Sequence, residues 1–174
     1  MAIPLKKIAV LGPECTGKSA LSEFLAKHFN TTWVPEYARG YLDNLVRPYE
    51  PHDLITIAHG QLRLEDAWSQ EANRLLICDT NLYVIKIWSE FKFGAYDPEI
   101  LRLIGSRHYD LYLLTYIDIP WENDPQREHP GKRQELYDLY LKELQRQNTP
   151  FVEIKGEQQE RRKVAIAAIE DLLS

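Results

Sequence analysis

Cysteine is scarce: Cys15 and Cys78 are the only two in 174 residues. That excludes a disulfide-stapled scaffold and a zinc site of Cys/His spacing, and it suits reduced thiols in a cytoplasm, with both cysteines expected near strand ends under the core. No apolar run approaches the roughly 20 residues a membrane helix needs, and no signal peptide is legible at the start. Excess positive charge is missing as well. A net charge of −5 gives no long-range attraction for nucleic acid, so no DNA or RNA role is expected. Internal repeats and low-complexity tracts are absent. What remains is one soluble domain spanning 1–174, long enough for a real core and too short for two, and no oligomer is indicated.

Against that background one stretch stands out. Gly12-Pro13-Glu14-Cys15-Thr16-Gly17-Lys18-Ser19 fits the phosphate-binding pattern G-x-x-x-x-G-K-S/T. Glycines let the backbone curl so that successive N–H groups face an anion, and the helix that follows, entered at Ser19 and Ala20, adds its positive end. Lys18 is placed for the β/γ-phosphates, and the Ser19 hydroxyl for the Mg²⁺ that ATP carries. The context agrees. Lys6 to Leu11 reads as a buried strand, and Leu21, Phe24, Leu25 and Phe29 share one helix face.

Further along, short apolar runs alternate with longer amphipathic ones, the pattern of a parallel sheet wrapped by helices. Thr31 to Val34 is a brief strand ended by Pro35. Glu36 and Arg39 follow at its carboxyl end, where ligands of open α/β sheets sit; a helix-start carboxylate and a partner for Asp43 are the plainer alternatives. A helix is expected from His52 to about Ala72, with His59 a satisfied core histidine and Gln61 able to read a ring edge. Leu75 to Cys78 ends in Asp79, the place where P-loop proteins put an acid on the metal or its water shell. The aromatic stripe of Val84, Ile87, Trp88 and Phe91 is read as packing. After an apolar run from Tyr109 to Ile117, residues 118–133 turn polar and proline-rich, which suggests a lid. Arg127 and Arg133 are its candidates to meet transferring phosphates, and Trp121 its candidate to cover an aromatic acceptor. A helix from Leu136 to Arg146, a strand at Phe151–Ile154 and a closing helix complete the chain, with Lys155-Gly156-Glu157-Gln158 placed to frame an adenine.

The loop residues, together with Glu36-Tyr37-Ala38-Arg39, His59-Gly60-Gln61, Asp79-Thr80-Asn81 and Pro120-Trp121 through Asp124 and Arg127, resemble the kinase domain of NadR-type ribosylnicotinamide kinases over nearly the whole chain. The sequence holds no nucleotidyltransferase domain, so adenylyl transfer is not expected. The resemblance implies a P-loop NTPase fold of nucleoside- or nucleotide-kinase type, a parallel sheet of about five strands with helices on both faces and a lid over about 118–135. It also implies ATP-dependent phosphorylation of the 5′-hydroxyl of nicotinamide riboside. In that scheme Gly12, Glu14, Cys15, Thr16, Gly17, Lys18, Ser19, Ala20 and Arg133 hold the nucleotide, and Ser19 and Asp79 hold Mg²⁺. Lys18, Glu36, Asp79 and Arg127 carry catalysis, while Glu36, Arg39, Gln61, Asp79, Asn81 and Trp121 bind a small nucleoside-like acceptor. Three positions depart from the family pattern: Cys15 replaces a serine, Asn81 replaces a second acid, and Pro35 stands where an aromatic is usual. A kinase for another nucleoside and a P-loop ATPase or regulatory module are the alternatives.

Overall fold

Lys6–Leu11 forms β1, and its last four residues, Ile8 to Leu11, are all buried. In the computed structural model, which describes residues 4–174, β1 is the middle strand of five. The others are β2 (Thr32–Val34), β3 (Leu75–Asp79), β4 (Leu111–Thr115) and β5 (Phe151–Ile154). The order across the sheet is β2-β3-β1-β4-β5, and every pairing is parallel.

Alternation along β1 divides the core into two layers, because successive side chains of a strand point to opposite faces. Ile8 and Val10 pack with Leu25 of α1 (Lys18–His28) and with Ala165 and Ile169 of α7 (Gln158–Leu173). On the other face Ala9 and Leu11 meet Ile87 of α4 (Leu82–Phe93) and Tyr137, Tyr140 and Leu144 of α6 (Arg133–Arg146). With both faces covered, the strands are continuous apolar runs. A third cluster joins Ala38 of α2 (Tyr37–Asp43), Leu54 and Ile57 of α3 (Pro51–Ser69), Ile85 of α4, and Ile100 and Leu103 of α5 (Pro98–Gly105). No helix of the described residues is long and apolar enough to cross a membrane.

Most expected elements form, with differences at their ends. The short helix α2 was not anticipated; only Ala38 among its seven residues is buried, too little for a periodic signal. α3 starts at Pro51, fixed by reciprocal capping between Glu50 and Asp53, and stops at Ser69 rather than Ala72. β4 ends at Thr115, opposite Ile154, where its partner β5 also ends. His59 is not a core histidine. Its ring is half-exposed, with Nε2 3.6 Å from Glu99.

Gly60 in α3 lies flush against Tyr37, and a Cβ there would come within 2.1 Å of the ring. Gly60→Ala is therefore expected to lower stability by roughly 1–3 kcal/mol through overpacking. Gly40→Ala in α2 meets no atom within 4 Å. That change is expected to raise stability by up to about 1 kcal/mol through helix propensity. Urea denaturation of both variants checks the two opposite signs.

Candidate active site

The sharp turn out of β1 is possible because residue 12 is glycine. Its φ is +149°, and a Cβ would fall 2.4 Å from Thr115 Oγ1 and 2.7 Å from the Thr115 carbonyl oxygen. The Thr115 hydroxyl donates to the Leu11 carbonyl at 3.1 Å and shares a 2.7 Å hydrogen bond with the Thr16 hydroxyl. Cys15 and Gly17 also have positive φ, and the loop closes into a ring at the N-terminus of α1. Lys18 Nζ donates to the Gly12 and Pro13 carbonyls at 2.8 Å each, so its ammonium lies over the loop.

Parallel pairing brings the neighbouring strand end level with this ring. Asp79 pairs in register with Val10, and its Oδ2 accepts the Ser19 hydroxyl at 2.5 Å. Its other oxygen, Oδ1, is buried with no partner. Desolvation raises the Asp79 pKa above the usual carboxylate range, opposed by the Ser19 hydrogen bond and by the Lys18 charge. Thr80, which follows, has φ +82° although β-branched, a strained geometry common at functional strand ends. Glu36, at the end of β2, has its pKa raised by desolvation in the cavity, with the Lys18 charge opposing and the Asp79 carboxylate reinforcing.

A cavity of about 350 Å³ connects these groups. The loop from Gly12 to Ala20 forms one side, Glu36 and Arg39 another, and Arg127 and His129 come from the lid. Trp88, Phe91 and Tyr140 supply an aromatic wall. Across the loop, Gly17, Ala20, Ile119, Pro120, Gly156, Glu157 and Gln158 line a second cavity of about 520 Å³. Buried Arg161 underpins it. Its guanidinium donates to the carbonyls of Thr16 at 2.8 Å, Gly156 at 2.8 Å and Tyr116 at 2.9 Å, and pairs with Asp118.

The lid is irregular from Tyr116 to Lys132 and is fastened on both sides. Glu14 accepts the backbone amides of Glu128 and His129, at 3.1 Å each. Arg39 pairs with Asp124 at 3.1 Å, and Gln126 donates to Asp43 at 2.6 Å.

Lys18, Ser19, Glu14, Cys15, Thr16, Gly17, Ala20, Glu36, Arg39 and Arg127 thus converge on one cavity, with Asp79 behind Ser19. Four expected residues lie elsewhere. Gln61 is fully buried, with its amide hydrogen-bonded to the backbone on either side of Glu36, and it does not line the cavity. Asn81 caps α4, accepting the Tyr83 amide at 2.9 Å, and lines a different small cavity. The Arg133 guanidinium is tied to the carbonyls of Cys15 at 3.1 Å and Ile119 at 2.8 Å, so it fastens the lid base instead of facing phosphates. Trp121 stacks on Arg133 with 5.6 Å to the ring centroid, outside the cavity. Cys15 is not under the core either: its half-exposed sulfur contacts Pro120 and Glu122 of the lid. Sequence reasoning missed the aromatic wall, although its Trp88 and Phe91 stand on the helix directly after Asp79, and it missed Arg161, for which no local signal exists.

A phosphate-binding ring at the switch point of a parallel sheet, with an acid on the next strand and a lid over both, defines a P-loop nucleotide-binding protein of nucleoside-kinase-like fold. A family model described as an AAA domain matches residues 7–161, and the chain belongs to that family. It is 30% identical over 161 residues to the trifunctional NAD biosynthesis/regulator protein NadR of Escherichia coli, covering 88% of this chain and 39% of that protein. The chain thus spans about two fifths of the length of that curated relative. A crystal structure of NadR in complex with NR superposes with a TM-score of 0.79 at 22% identity, over 97% of this chain and 51% of that one. Thymidylate kinase from Ehrlichia chaffeensis has a TM-score of 0.67 at 15% identity, over 97% of this chain and 100% of that one.

Because the Glu14 carboxylate holds two lid amides, Glu14→Ala is expected to speed hydrogen exchange at Glu128 and His129. The increase should be about tenfold, the size of one lost charge-assisted hydrogen bond. Exchange measured by NMR or mass spectrometry checks this, with the α7 amides as an internal standard.

Proposed function

We propose that this chain transfers the γ-phosphoryl group of ATP to the 5′-hydroxyl of a nucleoside-like acceptor, nicotinamide riboside foremost, in the cytoplasm. The observation that carries the reading is the single cavity joining the phosphate loop to the Glu36 carboxylate and to the wall of Trp88, Phe91 and Tyr140. Similarity to NadR, one of whose structures holds NR, supports the choice of acceptor.

In this scheme Lys18 leaves the loop carbonyls for the β/γ-phosphates, and the loop amides cradle them. The cavity beside Gly156–Gln158 takes the adenine. Ser19 and Asp79 suit Mg²⁺: a hydroxyl and a carboxylate are hard oxygen donors, and Asp79 Oδ1 is buried without a partner. When bound, Mg²⁺ offsets the charge of the phosphate oxygens. Arg127 neutralises the moving phosphoryl group, Arg39 grips the acceptor, and Glu36 accepts the proton of the 5′-hydroxyl. The acceptor ring lies against the aromatic wall, where flat apolar faces favour stacking and a cationic ring gains further from the π-clouds.

The test is ATP consumption with Mg²⁺ across nicotinamide riboside, the common nucleosides and deoxynucleosides, and no acceptor. Stimulation by nicotinamide riboside is expected; stimulation by a different nucleoside moves the substrate, and a flat panel overturns the kinase reading. Glu36→Gln and Asp79→Asn are each expected to lower kcat by roughly 100-fold or more, and near-normal turnover in both ends the mechanism. Since the Glu36 pKa is raised and only the carboxylate accepts a proton, kcat/KM should fall as pH drops through a value above the ordinary carboxylate range.

A further inference from the structure

Glu36 occupies the N-cap position of α2, with extended backbone at φ −70° and ψ 112°, yet its side chain makes no capping hydrogen bond. The first amide of α2 is instead satisfied from α3. Gln61 Oε1 accepts the Tyr37 amide at 2.8 Å, while Gln61 Nε2 donates to the Pro35 carbonyl at 3.2 Å. These two peptide groups flank Glu36, and one side chain holds both. Gln61 is 1% exposed, so water does not compete for either bond. The neighbouring Gly60 lets the Tyr37 ring close directly onto α3.

We propose that Gln61 is a positioning residue: by clamping the peptide groups on both sides of Glu36, Gln61 fixes the backbone from which the Glu36 carboxylate enters the cavity. The inference rests on the reading of Glu36 as proton acceptor. Without the Gln61 clamp the Tyr37 amide and the Pro35 carbonyl lose their buried partner, and the peptide groups that carry Glu36 are free to turn. The Glu36 carboxylate is then held less firmly toward the acceptor hydroxyl.

The test compares Gln61→Met, which keeps volume and removes both hydrogen bonds, with Gln61→Glu, which keeps an acceptor for the Tyr37 amide. In Gln61→Met, acceptor-dependent kcat is expected to fall roughly 10- to 100-fold with KM for ATP unchanged, and the Tyr37 amide is expected to lose its protection from hydrogen exchange. In Gln61→Glu the Tyr37 protection is expected to persist, with kcat above that of Gln61→Met. Placed on a Glu36→Gln background, Gln61→Met should reduce kcat by less than about twofold, because both changes act through one group. Full additivity, or unchanged Tyr37 protection in Gln61→Met, overturns the proposal. If Gln61→Met does not fold, loss of Tyr37 protection in Gln61→Glu overturns it instead. Near-normal turnover in Glu36→Gln removes the role given to Glu36, and the Tyr37 exchange measurement still decides whether Gln61 clamps the peptide groups that flank it.

Discussion

The contact between Gly12 and Thr115 is the constraint on which the rest of the site depends. It joins the turn out of β1 to the end of β4 with no room for a side chain between them. Thr115, wholly buried, bonds both to Leu11 before the turn and to Thr16 within the ring, which gives the loop a fixed seat on the sheet. Other anchors then converge on the loop. Arg161 reaches the Thr16 carbonyl from α7, Arg133 the Cys15 carbonyl from α6, and Asp79 the Ser19 hydroxyl from β3. An anion site made of backbone amides needs such rigidity, since its donors cannot be repositioned by rotamer changes.

The lid belongs to this arrangement as a bridge. On the loop side it is held by Glu14 and Cys15, and on the α2 side by Arg39 and Asp43. Glu128 extends the bridge to α4, accepting from Tyr49 at 2.8 Å and pairing with Lys92 at 2.8 Å. Tyr49 in turn receives the Trp88 indole N–H at 2.8 Å. A chain of contacts thus runs from the phosphate loop through the lid to the aromatic wall. The phosphate loop and the aromatic wall are joined through hydrogen bonds and ion pairs of the 116–132 segment.

Much of this was legible in the sequence because the signals were local. The loop pattern, the apolar strands and the acid ending β3 each declare themselves within a few residues. What escaped depends on contacts far apart in the chain. Gln61 and Pro35 are 26 positions apart, and Arg161 and Thr16 are 145 apart, so no window of sequence joins them. Arg127 and Arg133 look alike on paper, yet one faces the cavity and the other is tied to two carbonyls. The stripe of Trp88 and Phe91 carried the periodicity of packing, and it does pack; the same rings also bound the cavity. Periodicity says that a face is covered, not whether protein or ligand covers it.

The places where local rules fail point to the function independently of any pattern match. Several helices follow local rules: Asn81 and Asp97 cap theirs, and Glu50 and Asp53 form a reciprocal box. At the carboxyl ends of β1, β2 and β3 the exceptions accumulate. Cys15 and Thr80 take positive φ, Glu36 sits at a cap position without capping, and Asp79 Oδ1 and Thr80 Oγ1 are buried without partners. Each costs free energy that selection for stability alone would remove, and strain of this kind amounts to about 1–3 kcal/mol per residue. Similar exceptions occur at Asn30, Arg74 and Thr32, at the opposite ends of the strands, but those beside the phosphate loop lie together around one cavity, and groups left unsatisfied by the protein are the groups available to a ligand.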